Sequence, residues 1–244
     1  MTEAVTTPAK AASIPARLEA VRQRIADAAG RASRDPQGVT LVAVGKTHPV
    51  PVLLEAIAAG VDALGENRVQ DAVEKIEAIG RTPEWHLIGS LQTNKARIAV
   101  DHFDVIHSLD RIGLARAISS RATAIGRRSR VLVQVNVTGS PTQGGVAPGD
   151  LEGLVRAALV LPGIAIDGLM CIAPEAAGDG GVAAIRTAFR MVAARWRDLA
   201  TLARDHGHPW HHLSMGMTGD FEVAIEEGAT IVRVGRAIFG DRST

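Results

Sequence analysis

The sequence predicts an α/β protein folded as a single (β/α)₈ barrel with one extra helix at its N-terminus. Three observations carry that expectation. Short runs rich in β-branched residues recur about eight times, each followed by a stretch with helical spacing of apolar residues, and alternation of this kind means a parallel sheet. The 244 residues match the roughly 250 of a typical closed barrel. No linker or shift in composition divides them into domains. A doubly wound open sheet is the alternative reading.

Taken in order, residues 1–13 are rich in Ala and Thr and are expected to form a disordered tail, leaving 14–244 as the barrel domain. Ile14, Leu18, Val21 and Ile25 recur at helical spacing, with Pro15 tolerated in the first turn, and this extra helix should end near Gly30. Leu41-Val42-Ala43-Val44 reads as a strand buried on both faces, closed by Gly45-Lys46. A helix carrying Leu53 and Ile57 follows, stopped by Gly60. Val61 to Gly65 is the second strand, and Glu66-Asn67-Arg68 should open a helix to about Ile79. Trp85 to Gly89, Val105 to Ser108 and Val131 to Val137 are the next three strands, separated by a helix through Lys95 and one from Asp110 to about Ile125. A glycine-rich loop, Gly139 to Gly145, precedes the helix after Pro148. Ile164 to Met170 is the sixth strand, and Asp179-Gly180-Gly181 leads into a long helix. Its apolar face is Val182, Ile185, Phe189, Val192, Trp196 and Leu199, with Arg186, Arg190 and Arg197 on a solvated flank. His211 to Ser214 and Ile231 to Val234 complete the eight strands.

Composition excludes several classes. Lys+Arg 27 against Asp+Glu 26 leaves a net charge of +1, so no global field draws the chain to nucleic acid or an anionic membrane. The single cysteine, Cys171, rules out an internal disulfide framework and suits a reducing compartment. The opening residues lack the apolar core of a signal peptide, and no run approaches the ~18 apolar residues of a membrane span. A cytoplasmic protein is expected.

In a barrel, the groups at the carboxyl ends of the strands share one mouth, where ligands bind. Here these are Lys46, Glu66-Asn67, Gly89, Ser108, Asn136, Met170 to Ala173, Ser214 to Met217 and Gly235-Arg236. Lys46 reads as a cation for a phosphate or carboxylate, as an amine that condenses with a carbonyl, or as a lysine snorkelling from a strand end. The loops after strands seven and eight are where many barrels hold phosphate. Ser214 offers a hydroxyl there, Gly216 and Gly219 allow close backbone approach, and Gly235-Arg236-Ala237 opens a short helix. Thr218 and Asp220 are expected to cap the helix from Phe221. An attacking lysine needs burial and a nearby cation to lower its pKa from about 10.4; Arg233 is the candidate cation. An aldehyde and a phosphate held at opposite ends of one pocket suggest pyridoxal 5′-phosphate.

Gly45-Lys46, Gly65-Glu66-Asn67, Trp85-His86-Leu87-Ile88-Gly89, Leu91-Gln92 with Asn94-Lys95, Leu213 to Met217, and Val232 to Gly235 with Ala237 to Gly240 together resemble the YggS/PROSC family. That is the pyridoxal phosphate homeostasis protein family, similar to the barrel domain of alanine racemase. The resemblance covers nearly the whole chain from about residue 14. It implies a TIM barrel of the fold-type III class, with pyridoxal phosphate joined to Lys46 as an aldimine. It implies Ser214 and the backbone of Gly235 and Arg236 as phosphate ligands, Arg233 as partner of the pyridine nitrogen, and Asn67 and Met217 on the pocket wall. Family members often carry a lysine where this chain has Gln143.

The function so implied is cofactor homeostasis: a carrier or buffer, without evident catalysis. Arginine stays protonated and leaves the ring nitrogen without a proton, which weakens the ring as an electron sink. An alanine racemase also uses a tyrosine from a further domain as second base. This chain has no tyrosine and ends at Thr244, directly after the eighth unit, so a racemase of that design is not expected. A weak amino-acid racemase, or a Schiff-base lyase acting on a phosphorylated sugar, is the alternative. The expected partners are pyridoxal phosphate, other B6 vitamers and, in transient contact, enzymes that use the cofactor. The chain is expected to be a monomer or weak dimer.

The remaining candidates have plainer readings. His206, His208, His211 and His212 crowd together just before and at the start of strand seven, at the mouth opposite Lys46, and no cysteine joins them; no metal site is expected. His86 alternates with apolar neighbours and reads as a hydrogen-bonded core residue. Cys171 reads as a small buried hydrophobe, and Lys95 and Arg97 as helix surface.

Overall fold

The structure, a computed structural model, describes residues 12–175 and 181–240. Eight parallel strands close into a barrel in sequential order: β1 (Thr40–Val44), β2 (Ala63–Glu66), β3 (Glu84–Leu87), β4 (Val105–Leu109), β5 (Ser129–Val135), β6 (Ile164–Cys171), β7 (His212–Ser214) and β8 (Ile231–Val234). β1 pairs with β8, Thr40 opposite Ile231, which completes the ring. The helices are α1 (Ile14–Arg31), α2 (Val50–Ala58), α3 (Val69–Ile79), α4 (Ala96–His102), α5 (Ile112–Ala124), α6 (Leu151–Leu159), α7 (Gly181–Asp205), α8 (Phe221–Glu226) and α9 (Arg236–Phe239). The expected barrel with an added N-terminal helix is the observed fold.

Boundaries shift by a few residues. Glu66 stays in β2, and α3 starts only at Val69. β5 begins earlier and stops earlier than expected, because the chain turns at Asn136 into the glycine-rich loop. Residues 1–11 of the expected tail lie outside the described residues, as do Asp179 and Gly180. Ser13 belongs with the helix: its Oγ accepts the Ala16 N–H at α1's first turn.

Alternation along the strands sorts side chains into two compartments. Outward residues such as Trp85, Leu87, Ile106, Val133, Leu169 and Val232 meet the inner faces of the helices in one continuous apolar layer. Phe103 and Phe189 are fully buried in it, each worth about 1.5–3 kcal/mol. Inward residues form a small second cluster of Val42, Ala63, Val105, Leu132, Met170 and Ile231. Around that cluster the interior also holds His86, His107, Gln134, Ser214 and Arg233, all buried.

Two irregularities aim side chains inward. Registers against β5 skip one residue in β4, between Ile106 and Leu109, and one in β6, across Ile166 to Leu169. Bulges of this kind re-aim side chains and increase the local twist. At Gly168, with φ +137°, a Cβ would stand 1.7 Å from the His212 carbonyl oxygen, so no other residue fits where β6 passes β7.

The arginines expected on a free flank of α7 are partly engaged. Arg186 bridges Glu226 and Glu227, and Arg190 reaches Glu227, so α7 clasps the end of α8. Arg24 and Arg31 of α1 reach Glu222 and Glu226 from the other side.

Candidate functional site

One wall of the barrel mouth is built around Lys46. Gly45 N–H continues the β1 ladder to the Gly65 carbonyl at 3.0 Å. The chain then turns through Thr47 at φ 70°, a conformation that costs a β-branched residue roughly 1–3 kcal/mol. His48 N–H closes the turn on the Gly45 carbonyl at 3.1 Å. Beneath it, Lys75 of α3 donates to the Gly45 carbonyl at 3.0 Å and to Glu66 Oε1 at 2.6 Å. Burial pushes the Glu66 carboxyl up, against the pull of Lys75. A buried pair of this kind gains little stability over apolar packing, but removing one partner strands a charge. Its consequence here is geometric: it pins the backbone from which Lys46 projects into the open mouth.

The facing wall comes from the turns after β7 and β8. Asp220 and Phe221 donate their N–H groups to the Met217 carbonyl at 3.0 and 2.9 Å, while Asp220 Oδ1 accepts Met217 N–H at 2.5 Å. Asp220 therefore ties its own loop together and gives α8 no side-chain cap, contrary to expectation. After β8, Ile238 and Phe239 fold back onto the Gly235 carbonyl, leaving the donors of Arg236 and Ala237 in the first helical turn, where no intrahelical acceptor exists. Arg233 lies below, buried to 3% exposure. Its Nη1 donates to Ser214 Oγ at 2.6 Å and its Nη2 to the Cys171 carbonyl at 2.9 Å. A guanidinium has further N–H donors beyond these two.

Between the walls lies a cavity of about 1010 Å³, lined by Lys46, Asn67, Met217, Arg233, Gly235 and Arg236. These six of the seven expected site residues are brought together. Ser214 is not. Its side chain is fully buried under the cavity floor, and its hydroxyl is taken by Arg233 and by His107 Nδ1 at 3.1 Å. The hydroxyl that does line the cavity in this loop is Thr218. Gly216, at φ 91°, packs against Phe221 and Ala224 of α8 and does not reach the cavity either.

Other expected mouth residues serve the frame. Gly89 makes room for the chain at Asn67, where a Cβ would meet the Asn67 carbonyl oxygen at 2.2 Å. Asn136 knits the glycine-rich loop, donating to the carbonyls of Ser140 and Gln143 and accepting from Gly139 N–H. Gln143 lines the cavity and donates to the Ile172 carbonyl at 3.2 Å. Cys171 is fully buried, and burial pushes its thiol up to about 12, which suits a packed hydrophobe and not a nucleophile.

The histidines at the opposite mouth have structural partners. His208 Nδ1 accepts Ile166 N–H at 2.9 Å, and His211 and His212 flank Asp167. Among the described residues no group of three potential metal ligands comes together. Nor is any helix there long and apolar enough to cross a membrane.

The donor set fits pyridoxal phosphate. These residues line one cavity, in which Lys46 would supply an amine for the aldehyde, Arg233 a donor for a ring acceptor, and Thr218, Gly235 and Arg236 the surroundings of a dianion. Similarity to known proteins agrees. The family model described as alanine racemase, N-terminal domain, matches residues 16–243. A protein of Aquifex aeolicus named pyridoxal phosphate homeostasis protein is 43% identical over 228 residues, 93% of this chain and 97% of that one. The protein of the same name from Escherichia coli K12 is 40% identical over 230 residues, 92% and 95% of the two chains. PipY of Synechococcus elongatus, solved with pyridoxal phosphate bound, superposes with a TM-score of 0.80 at 37% identity, covering 93% of this chain and all of that one. Alanine racemase of Corynebacterium glutamicum shares the fold at 21% identity and a TM-score of 0.65, but this chain spans only 62% of it. With relatives of about 40% identity matched over more than nine-tenths of both chains and the lysine-bearing mouth in the expected place, this chain belongs to the pyridoxal phosphate homeostasis protein family, on the alanine racemase N-terminal-domain barrel.

Proposed function

We propose that this chain binds pyridoxal phosphate at the barrel mouth, covalently through Lys46, and that it stores and releases the cofactor without transforming a substrate. The observation that carries the reading is the single cavity with Lys46 on one wall and Arg233, Gly235 and Arg236 on the other. The bound cofactor supplies an aldehyde carbon that takes an amine and a phosphate dianion that takes hydrogen-bond donors. Lys46 provides the amine, held by the turn that Lys75 braces. Thr218 and the first-turn amides after Gly235 surround the dianion, and Arg236 adds a cation at the rim. Arg233 would offer its remaining N–H donors to the ring nitrogen and, unable to accept a proton, would leave that nitrogen unprotonated.

The absence of any tyrosine in the 244 residues supports storage over racemisation, since this chain cannot supply the second base of alanine racemase. The names and the cofactor-bound structure of the relatives support the same reading. The unit responsible is the barrel proposed from residue 14 onward; its exchange partners are the free cofactor and enzymes that require it.

The test is borohydride reduction of the protein with pyridoxal phosphate, followed by peptide mapping. One cofactor mass on the peptide containing Lys46, lost in Lys46→Ala, is expected. Labelling elsewhere overturns the site, and turnover of alanine well above the buffer rate overturns the storage function.

A further inference from the structure

Beneath the cavity, five side chains form one hydrogen-bonded chain through the barrel interior. Arg233 Nη1 donates to Ser214 Oγ at 2.6 Å. Ser214 Oγ lies 3.1 Å from His107 Nδ1, His107 Nε2 lies 2.8 Å from His86 Nδ1, and His86 Nε2 lies 2.9 Å from Glu84 Oε2. Ser214 and His107 are fully buried, and His86 is 1% exposed. The chain crosses from β3 through β4 to β7 and β8, and His107 enters it from the bulged stretch of β4.

Its two ends have fixed polarity. Arginine only donates, so Ser214 Oγ accepts from Arg233. Glu84, held down to about 2 chiefly by its hydrogen bond to His86, is ionised and accepts from His86 Nε2–H. Burial, with the Arg233 and Arg130 guanidiniums nearby, keeps His107 from holding a second proton. Two arrangements satisfy every contact. In one, Ser214 donates to His107 Nδ1, His107 Nε2–H donates to His86 Nδ1, and both rings are neutral. In the other, every middle bond is reversed and His86 carries two protons and a charge. The second sets the His86 charge against Glu84 but leaves the buried Ser214 hydroxyl proton without an acceptor, since Arg233 and His107 then both donate to its oxygen; the first leaves no proton of the chain unpaired.

We propose that His107 is a positioning residue for the cofactor site: its Nδ1 accepts the hydrogen bond of the Ser214 hydroxyl, leaves the Ser214 oxygen as an acceptor for Arg233, and thereby holds the guanidinium toward the cavity. His86 and Glu84 fix the His107 tautomer from behind, as a carboxylate does for a catalytic or metal-bound histidine. The inference rests on the reading of the cavity as a pyridoxal phosphate site.

Two measurements test it. Long-range ¹⁵N–¹H correlation on ligand-free protein with labelled histidine reads the tautomers directly, and His107 and His86 should both carry their proton on Nε2 near neutral pH. A proton on His107 Nδ1, or two on His86, overturns the chain whether or not the cofactor binds. Equilibrium dialysis of pyridoxal phosphate then compares wild type with His107→Phe and His107→Gln, each checked for fold by circular dichroism. His107→Phe should weaken binding roughly tenfold, the order expected from one disturbed hydrogen bond to a charged group. His107→Gln keeps an acceptor and a donor on one planar group and should recover most of the affinity. Equal affinity in wild type and a folded His107→Phe overturns the positioning role. If the phenylalanine variant does not fold, a folded glutamine variant with the same loss that Ser214→Ala shows overturns it instead. Wild-type protein that binds no cofactor overturns the reading of the cavity, and leaves the tautomer result to stand by itself.

Discussion

The two faces of the same eight strands are built on opposite principles. Outside the barrel, between strands and helices, the packing is dominated by apolar side chains, the largest of them Trp85, Trp210, Phe103, Phe189 and Phe221. Inside, only a six-residue apolar cluster remains, and buried polar groups take the rest of the space. Apolar contacts are non-directional and tolerate adjustment. Buried hydrogen bonds are directional, and each orphaned partner is expensive. The outer layer therefore provides the stability that closes the ring, while the inner face spends stability to hold Arg233 at one angle. Fold and site are separated by the two-residue period of a strand.

That separation can be broken at its seam. Gly168→Ala forces a Cβ to 1.7 Å from the His212 carbonyl oxygen, and the expected result is a chain that does not close a barrel, read as loss of a cooperative urea transition. Trp85→Ala strikes the outer layer alone. It should cost about 3–5 kcal/mol in urea unfolding while leaving the stoichiometry of bound pyridoxal phosphate unchanged. Ser214→Ala strikes the inner face: it orphans Arg233 and His107 and should cost about 1–3 kcal/mol. Unlike the tryptophan variant, it should also weaken cofactor binding.

Acid sharpens the contrast without mutation. Burial holds His107 well below its usual 6.5, so below that pH the unfolded chain binds more protons than the folded one, and stability falls as pH drops through the imidazole range. Glu84 is depressed from 4.5 to about 2; its share of stability is present above 4.5 and disappears as pH falls from there toward 2. Urea midpoints measured from pH 7.5 to 3 should decline in two stages, and His107→Gln should flatten the first. The smallest change is expected from Lys46→Ala. Its side chain is exposed, so stability should stay within about 0.5 kcal/mol while covalent attachment of the cofactor is lost.

Much of this was legible in the residues themselves. Strand–helix alternation determined the barrel, because a parallel strand buried on both faces and the helix that covers it leave different periods in the chain. The position of a residue at a strand's carboxyl end was enough to bring Lys46, Asn67, Gly235 and Arg236 to one mouth. Ser214 shows where that reasoning stops. It ends β7 as Lys46 follows β1, yet its hydroxyl turns down into the interior, and Thr218, in the same loop, faces the cavity. Lys75 carried no signal, since it reaches the site from the middle of α3. His86 was legible as a hydrogen-bonded core residue, but its partners were not.

The sequence by itself determined the order and type of the elements, the closed ring, and which strand ends supply an amine and a set of donors. These are consequences of local periodicity and of connections a few residues long. Only the tertiary structure decided which side chains touch across the ring. His107 and Ser214 are 107 residues apart and meet because strand tilt and two bulges set the depth of each side chain inside the barrel. That depth is a property of the closed sheet, and no stretch of chain encodes it alone.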